Sequence, residues 1–519
     1  TIFAASTSGD NCVNLGTLND NGYNLSNDTT CTNGGTGSVT NATLNLGALA
    51  DNGGATLTHL PGAGSAATGA IPNGTTISNN GTSWTCSDVD TFTDQRGEAR
   101  PINSLTACTA GAVEVEIPLC PTGVAATADE LYQCITEANT NGAGLDTITL
   151  GSNIDLTTLT INPLPQISTE IVLEGAGYVI DGRDIVQLFN VGSGGDFTVN
   201  QATLQNGSAT DGGAILNAGA VTVTNSTFSS NSATDAGGAI ATFFGATLTV
   251  TNSTFVNNAA DPGGALVNAG TATVSHSTFS ANIAGVTGGG GIFNTGLATV
   301  TNSTFSGNLV NGNGGGILNE GTATVSQSTF SGNSAPNCGA INNLATLHLA
   351  GSIFAASTSG DNCFGTLNDN GYNLSDDATC TNNGAGSATN ATLNLGVLAN
   401  NGGPTLTHLP GAGSAAIGAI PNGTTISNNG TSWTCNDVDT FTDQRGVSRP
   451  INTATACTAG AVEVELPPLC PSWTVTTADE LYDCITLANA NENPSPTADT
   501  ITLGADIDLI TLTTSPLPQ

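Results

Sequence analysis

Residues 212–231 read GGAILNAGAVTVTNSTFSSN, and the phrase returns as GGALVNAGTATVSHSTFSAN (263–282), GGGIFNTGLATVTNSTFSGN (289–308) and GGGILNEGTATVSQSTFSGN (314–333). The aliphatic after the glycines falls at Ile215, Ile240, Leu266, Ile292, Ile317 and Ile341, and the aromatic at Phe228, Phe255, Phe279, Phe305, Phe330 and Phe354, with spacings of 24 to 27 residues. A fixed period of this length marks a repeat that buries its apolar side only against its neighbours. Val/Thr alternation with no helical periodicity makes the repeat unit a coil of three short strands, successive coils stacking at the strand spacing of about 4.8 Å. The reading is a right-handed parallel β-helix of about 25-residue coils.

In that fold each coil places the same side chain in the same column. Val223, Val250, Val274, Val300, Val325 and Leu349 stand five residues before the aromatic and form one such column. The glycine pairs mark a bend that needs positive φ or close backbone approach. Asn217, Asn268, Asn294, Asn319 and Asn343 follow the aliphatic by two residues, and Asn231, Asn258, Asn282, Asn308 and Asn333 follow the aromatic by three. Stacked amides at bends hydrogen-bond along the ladder.

A larger repeat encloses the smaller one. The segment from Ile353 (IFAASTSGDNC) restates that from Ile2, and the match runs on to PLPQ at both Gln166 and Gln519, giving a unit of about 350 residues. This divides the chain into an anchor-like module (1–118), a capping segment (119–166), the β-helix ladder (167–351), a second module (352–468) and a second capping segment (469–519). The chain reads as a window onto a longer array.

The GG[AG][IL] and FxxN pairs resemble the repeats of polymorphic outer-membrane proteins and adhesin-like surface β-helices. NNGGPTLTHLPGAGSAAIGA with TDQRGVSRP and CTAGAVEVE resembles a bacterial choice-of-anchor Q domain, and CPTGVAATADELYQCITEANTNGAGLDTITL resembles the segment around a CSLREA motif, although LYQCITEA replaces its arginine-bearing core. The resemblance implies a secreted or surface location and assigns no activity.

Composition narrows the function. Forty acidic residues stand against five arginines (Arg96, Arg100, Arg183, Arg445 and Arg449) and no lysine, for a net charge of −35. Such a chain repels phosphate backbones and anionic membranes, so nucleic acid is not an expected partner. No apolar run reaches the length of a membrane span. Thirteen cysteines point to an oxidising, extracellular or cell-surface compartment. Local pairing joins Cys12 with Cys31, Cys86 with Cys108, Cys120 with Cys134, Cys363 with Cys380, Cys435 with Cys457 and Cys470 with Cys484. Cys338 is left over, and a Cys338–Cys363 bond between stacked coils is the rival connectivity.

Thr127 and Glu130 form a capping box ahead of Leu131, Cys134, Ile135 and Ala138, which predicts a short amphipathic helix covering the end of the β-helix; Thr477 and Glu480 repeat it. Asp88, Asp90 and Asp94, echoed by Asp437, Asp439 and Asp443, offer oxygens to Ca²⁺, and no other cofactor is expected. Pairing with Arg96 and Arg100 is the alternative, and the preferred one. The sequons at Asn225, Asn252 and Asn302 offer glycan acceptors, although His276 and Gln327 hold the same position in other coils. His59, His276, His348 and His408 lack metal-ligand spacing.

The ladder's acids (Asp211, Asp235, Asp261 and Glu320) fall near bends, one per coil, and form no catalytic dyad. The chain therefore reads as a non-enzymatic structural segment of an extracellular tandem-repeat fibre that stacks end to end on itself. An adhesin that binds carbohydrate or another cell is the alternative, and a polysaccharide lyase or hydrolase is the less favoured one.

Overall fold

A computed structural model of the 519-residue chain describes all residues except 5–9, 14–16, 63–64, 88–92, 101–106, 115–119, 121–122, 141–145, 160–162, 437–440, 452–455, 465–473, 479–480, 482–483, 486–500, 504 and 508–519. Two compact units result, Thr1–Val124 and Ala125–Gln519.

The second unit is built on a parallel β-solenoid. Five-residue strands such as Ala220–Thr224, Thr271–Ser275 and Thr322–Ser326 belong to an 11-stranded sheet. Three-residue strands carrying the phenylalanine, such as Thr227–Ser229 and Thr278–Ser280, belong to a 10-stranded sheet, and the aliphatic strands join a 13-stranded one. Alternation sorts the faces: Val221 and Val223 point inward while Thr222 and Thr224 point outward. Register then brings identical residues together. Val223, Val250, Val274, Val300, Val325 and Leu349 are successive partners. The rings from Phe228 to Phe354 stack with centroids 4.7 to 5.2 Å apart, the distance that adjacent strands impose on equal rotamers.

The bends explain residues that packing does not. The residue after each long strand from Asp196–Asn200 to Thr346–Ala350 (Gln201, Asn225, Asn252, His276, Asn302, Gln327, Gly351) has φ between +44° and +60°, a left-handed conformation that Asn and Gly tolerate best. The glycine pairs meet both demands expected of them. Gly237 has φ +65°, and a Cβ on Gly238 would collide with the carbonyl of Gly264 in the next coil.

Two buried amide ladders run along the stack. Asn231, Asn258, Asn282 and Asn308 each donate from Nδ2 to the Oδ1 of the next member of the column, at 2.8 to 3.0 Å, and to a carbonyl of the preceding coil. Asn268, Asn294, Asn319 and Asn343 form the second ladder, into which Thr242 intrudes as the partner of Asn217 and Asn268. A third column was not anticipated: Ser226, Ser253, Ser277, Ser303 and Ser328 follow the left-handed residues, and each hydroxyl from Ser253 on accepts the N–H of the serine one coil back. The asparagine and serine side chains of these columns are thus paired and do not incur the cost of unmet hydrogen bonds, whereas the buried Thr242 hydroxyl has no partner.

Helix α1, Ala128–Thr140, packs on Asp146–Leu150 and Glu170–Glu174, two of the earliest strands of the stack. Its capping box is formed: Glu130 N donates to Thr127 Oγ1 and Thr127 N to Glu130 Oε2. Ala128, Leu131, Cys134, Ile135 and Ala138 form its buried face. At the other end the stack runs past residue 351, since Ile353–Ala355, Ser359–Phe364, Asn368–Asp369 and Leu374–Ser375 add strands to all three sheets. The second module thus begins as a coil of the ladder.

The first unit repeats the module's internal plan. Its core gathers Leu25, Leu44, Ala67, Ile71, Cys86 and Cys108, and a hairpin pairs Thr76–Asn79 with Thr82–Thr85. The second module has the same hairpin at Thr425–Asn428 and Thr431–Thr434, but its core also takes in Ala350 of the ladder.

Candidate functional site

The second module lies along the outer face of the ladder it follows. The outward threonines of the phenylalanine strands show where: Thr227 and Thr254 are half-buried, whereas Thr278, Thr304 and Thr329 are fully covered. Gln444 is the hub of this seat. Its Nε2 donates to Thr278 Oγ1 at 2.8 Å and Thr405 Oγ1 at 2.9 Å, and its Oε1 accepts from Thr304 Oγ1 at 2.6 Å. Thr278 donates onward to the Leu406 carbonyl and Thr405 to the His276 carbonyl. Asn428 Nδ2 reaches Val325 O and Ser326 Oγ, and Ala461 N donates to Thr329 Oγ1.

His408 is part of the same seat. Its Nδ1 lies 2.7 Å from Gly396 O, so that nitrogen carries the proton, and Nε2 accepts from Ser306 Oγ at 2.9 Å. Burial lowers its pKa, in keeping with a neutral ring.

Behind the seat lies a buried ionic clamp. Asp443 accepts from Arg445 at 2.7 Å and from the backbone N–H groups of Arg445, Val447 and Glu463. Arg449 is completely buried, donating to Thr458 O and Gly460 O and pairing with Glu463 at 3.3 Å. Burial pushes Glu463 up to about 7, against the pull of the Arg449 guanidinium and the Thr458 N–H. Asp94, Arg96, Arg100 and Glu114 build the same clamp in the first module.

The clamp bears on the carboxylates considered for calcium. Asp94 and Asp443 are engaged by Arg96 and Arg445, while Arg100 turns instead to Glu114. Asp88, Asp90, Asp437 and Asp439 lie outside the described residues. Among the described residues no group of three or more His, Cys, Asp or Glu side chains gathers as a metal site. The ladder's acids stiffen bends: Asp261 accepts from Val286 N, Thr287 N and Thr287 Oγ1, and Asp211 from Ala236 N.

The three sequons fare differently. Asn225 is exposed and Asn252 half-buried, but Asn302 is 6% exposed and donates to Thr442 O in the seated module. The expectation of a glycan at Asn302 is therefore corrected, because the module occupies the space a glycan needs. Asparagine recurs there to supply the left-handed bend.

Disulfides join Cys12 to Cys31, Cys86 to Cys108, Cys363 to Cys380 and Cys435 to Cys457, with Cα atoms 5.0 to 5.8 Å apart. Cys120, Cys134 and Cys484 are also disulfide-bonded, and Cys470 lies outside the described residues. Cys338 is a buried free thiol. The rival Cys338–Cys363 bond is not formed, because register shifts in strand Ser334–Asn343 place Cys338 opposite Asp361 and Cys363 opposite Ile341.

Sequence reasoning did not find Gln444, Thr405, His408, Asn428 or Glu463 as a working group. The available signal was the verbatim return of THLPGAG and TDQRG in both modules, which apolar periodicity does not explain.

Residues 183–335 match the family described as the right handed beta helix region. No curated protein and no solved structure matches the chain. Fold and match together define a right-handed parallel β-helix. No helix among the described residues is long and apolar enough to cross a membrane.

Proposed function

We propose that the chain is a structural segment of an extracellular tandem-repeat β-helical fibre or surface filament, with no enzymatic activity. The observation that carries this reading is the seat. A module locked across the side of a ladder through Gln444, Asn428 and His408 turns the outward polar face into a load-bearing joint. Columns of six stacked phenylalanines and five linked asparagines suit a rod and leave few side chains free for chemistry. The disulfides favour an oxidising, extracellular location.

The β-helix family includes both enzymes and non-enzymes, so the non-enzymatic reading rests on how the acids are used. Asp211, Asp261 and Asp443 are already committed to backbone or arginine donors. The adhesin reading has one specific feature in its favour, Phe244, which is 93% exposed beside Phe243 and offers an apolar ring to a sugar or protein surface. Electron micrographs of native material test the proposal. Filaments with an axial repeat of one unit are expected; isolated globular particles, or cleavage of polysaccharide by the purified chain, would overturn it.

A further inference from the structure

The seated module has a twin whose corresponding surface is bare. Gln95, Thr56, His59 and Asn79 occupy the places of Gln444, Thr405, His408 and Asn428. All four are exposed in the first module, whereas their counterparts are at most 7% exposed in the second. Much of the internal framework is shared by the two modules. The Asp94–Arg96 and Arg100–Glu114 pairs, both disulfides and the hairpin match those of the seated copy.

What differs is the neighbour. Ile353–Ala355 is hydrogen-bonded on one side to Thr329–Ser331 of the ladder and on the other to Leu374–Ser375. Its twin Ile2–Phe3 pairs with Leu25–Ser26 and, among the described residues, with no second strand. An open strand edge is a template for another strand. Beside that edge opens a cleft of about 1420 Å³, whose lining includes Ile2, Leu44, His59, Trp84, Gln95 and Asn79.

We propose that this cleft and edge form a docking site for the threonine/serine face of a β-helix ladder of the kind spanned by residues 276–354, supplied by another repeat unit. The occupant is specified by the seated copy. Gln95 would bridge two outward threonines as Gln444 bridges Thr278 and Thr304, and Asn79 would donate to a strand carbonyl as Asn428 does to Val325. Ile2–Phe3 would pair with a TFS strand. The ladder within this chain is not the partner, because its face already carries the second module. The inference rests on reading the chain as a unit of a repeating array, yet its test is separate from that of the fibre.

The test compares the 519-residue chain with one in which residues 125–351 are repeated directly ahead of Thr1. Carbethoxylation of histidine reads the outcome, since His59 is exposed while His408 has both ring nitrogens engaged. In the 519-residue chain His59 is modified and His408 is protected. In the extended chain the modification of His59 falls to the level of His408, and Thr278→Arg in the added ladder restores it. A His59 that stays reactive in the extended chain, or that is protected with and without the Thr278→Arg change, overturns the proposal. So does protection of His59 in the 519-residue chain by self-association or by added polysaccharide alone, which would assign the cleft to another occupant.

Discussion

Phe279 lies 4.7 Å from Phe255 and 4.9 Å from Phe305, fully buried, so truncating it empties one storey of a continuous stack. Phe279→Ala is expected to cost about 3–5 kcal/mol, the range for deleting a buried ring that its neighbours cannot refill; a thermal shift no larger than that of an exposed Thr→Ala control would contradict the column. The opposite sign is expected at Thr242. Its buried hydroxyl has no partner, and it interrupts the asparagine column between Asn217 and Asn268. Thr242→Asn should stabilise the chain by about 1 kcal/mol by restoring an amide link, seen as a rise in melting temperature. The Phe, Val and Asn columns were legible in the sequence because each repeats at a fixed step. The serine column hid in the same NSTF phrase because serine is equally common in loops, and only its following of a left-handed residue gives it a role.

At the scale of elements, α1 was readable from one capping box and one apolar stripe. Thr127→Ala removes the bond to Glu130 N and should cost about 1 kcal/mol, measured as lost helix protection in hydrogen exchange. The modules were legible as repeats but not as folds, since their short strands follow neither period. Their carboxylates predict a two-sided pH response. Burial opposes the ionisation of Asp369, but the N–H groups of Asn382 and Gly384, with Ser387 and Asn373, outweigh it and hold it below the usual carboxylate range; Asp377 is held low in the same way by Asn362 and Thr379. A lowered folded pKa gives stability that is present above the ordinary aspartate pKa and is lost as pH falls through the folded value. Glu463, raised to about 7 by burial, acts in reverse: its contribution is full below the ordinary glutamate pKa and lost as pH rises through about 7. Melting followed across pH should show both slopes, and Glu463→Gln should weaken the neutral one and leave the acid one, the remaining neutral slope coming from Glu114, which burial raises to about 7 in the first module.

For the whole molecule, the sequence places the ladder between two modules. The structure adds that the second module rides on the side of its own ladder, a contact between residues as distant as Ser277 and Gln444. No local pattern encodes such a pairing, which is why the seat was not foreseen. Cys338 shows the same limit, because two register shifts decided its state. Burial pushes its thiol up to about 12, so native protein should leave Cys338 unmodified by iodoacetamide, and denatured protein should label it. Every one of these arguments depends on coils that stack in register, so that one residue meets its counterpart one coil on. The pair Thr273 and Thr299, outward-facing partners on adjacent long strands, tests this most directly. With Thr273→Cys and Thr299→Cys in one chain, mild oxidation should join the two positions, since neighbouring strands hold Cα atoms within disulfide range. A cross-link that forms instead when Thr301→Cys replaces Thr299→Cys, or that forms in neither chain, would contradict the ladder.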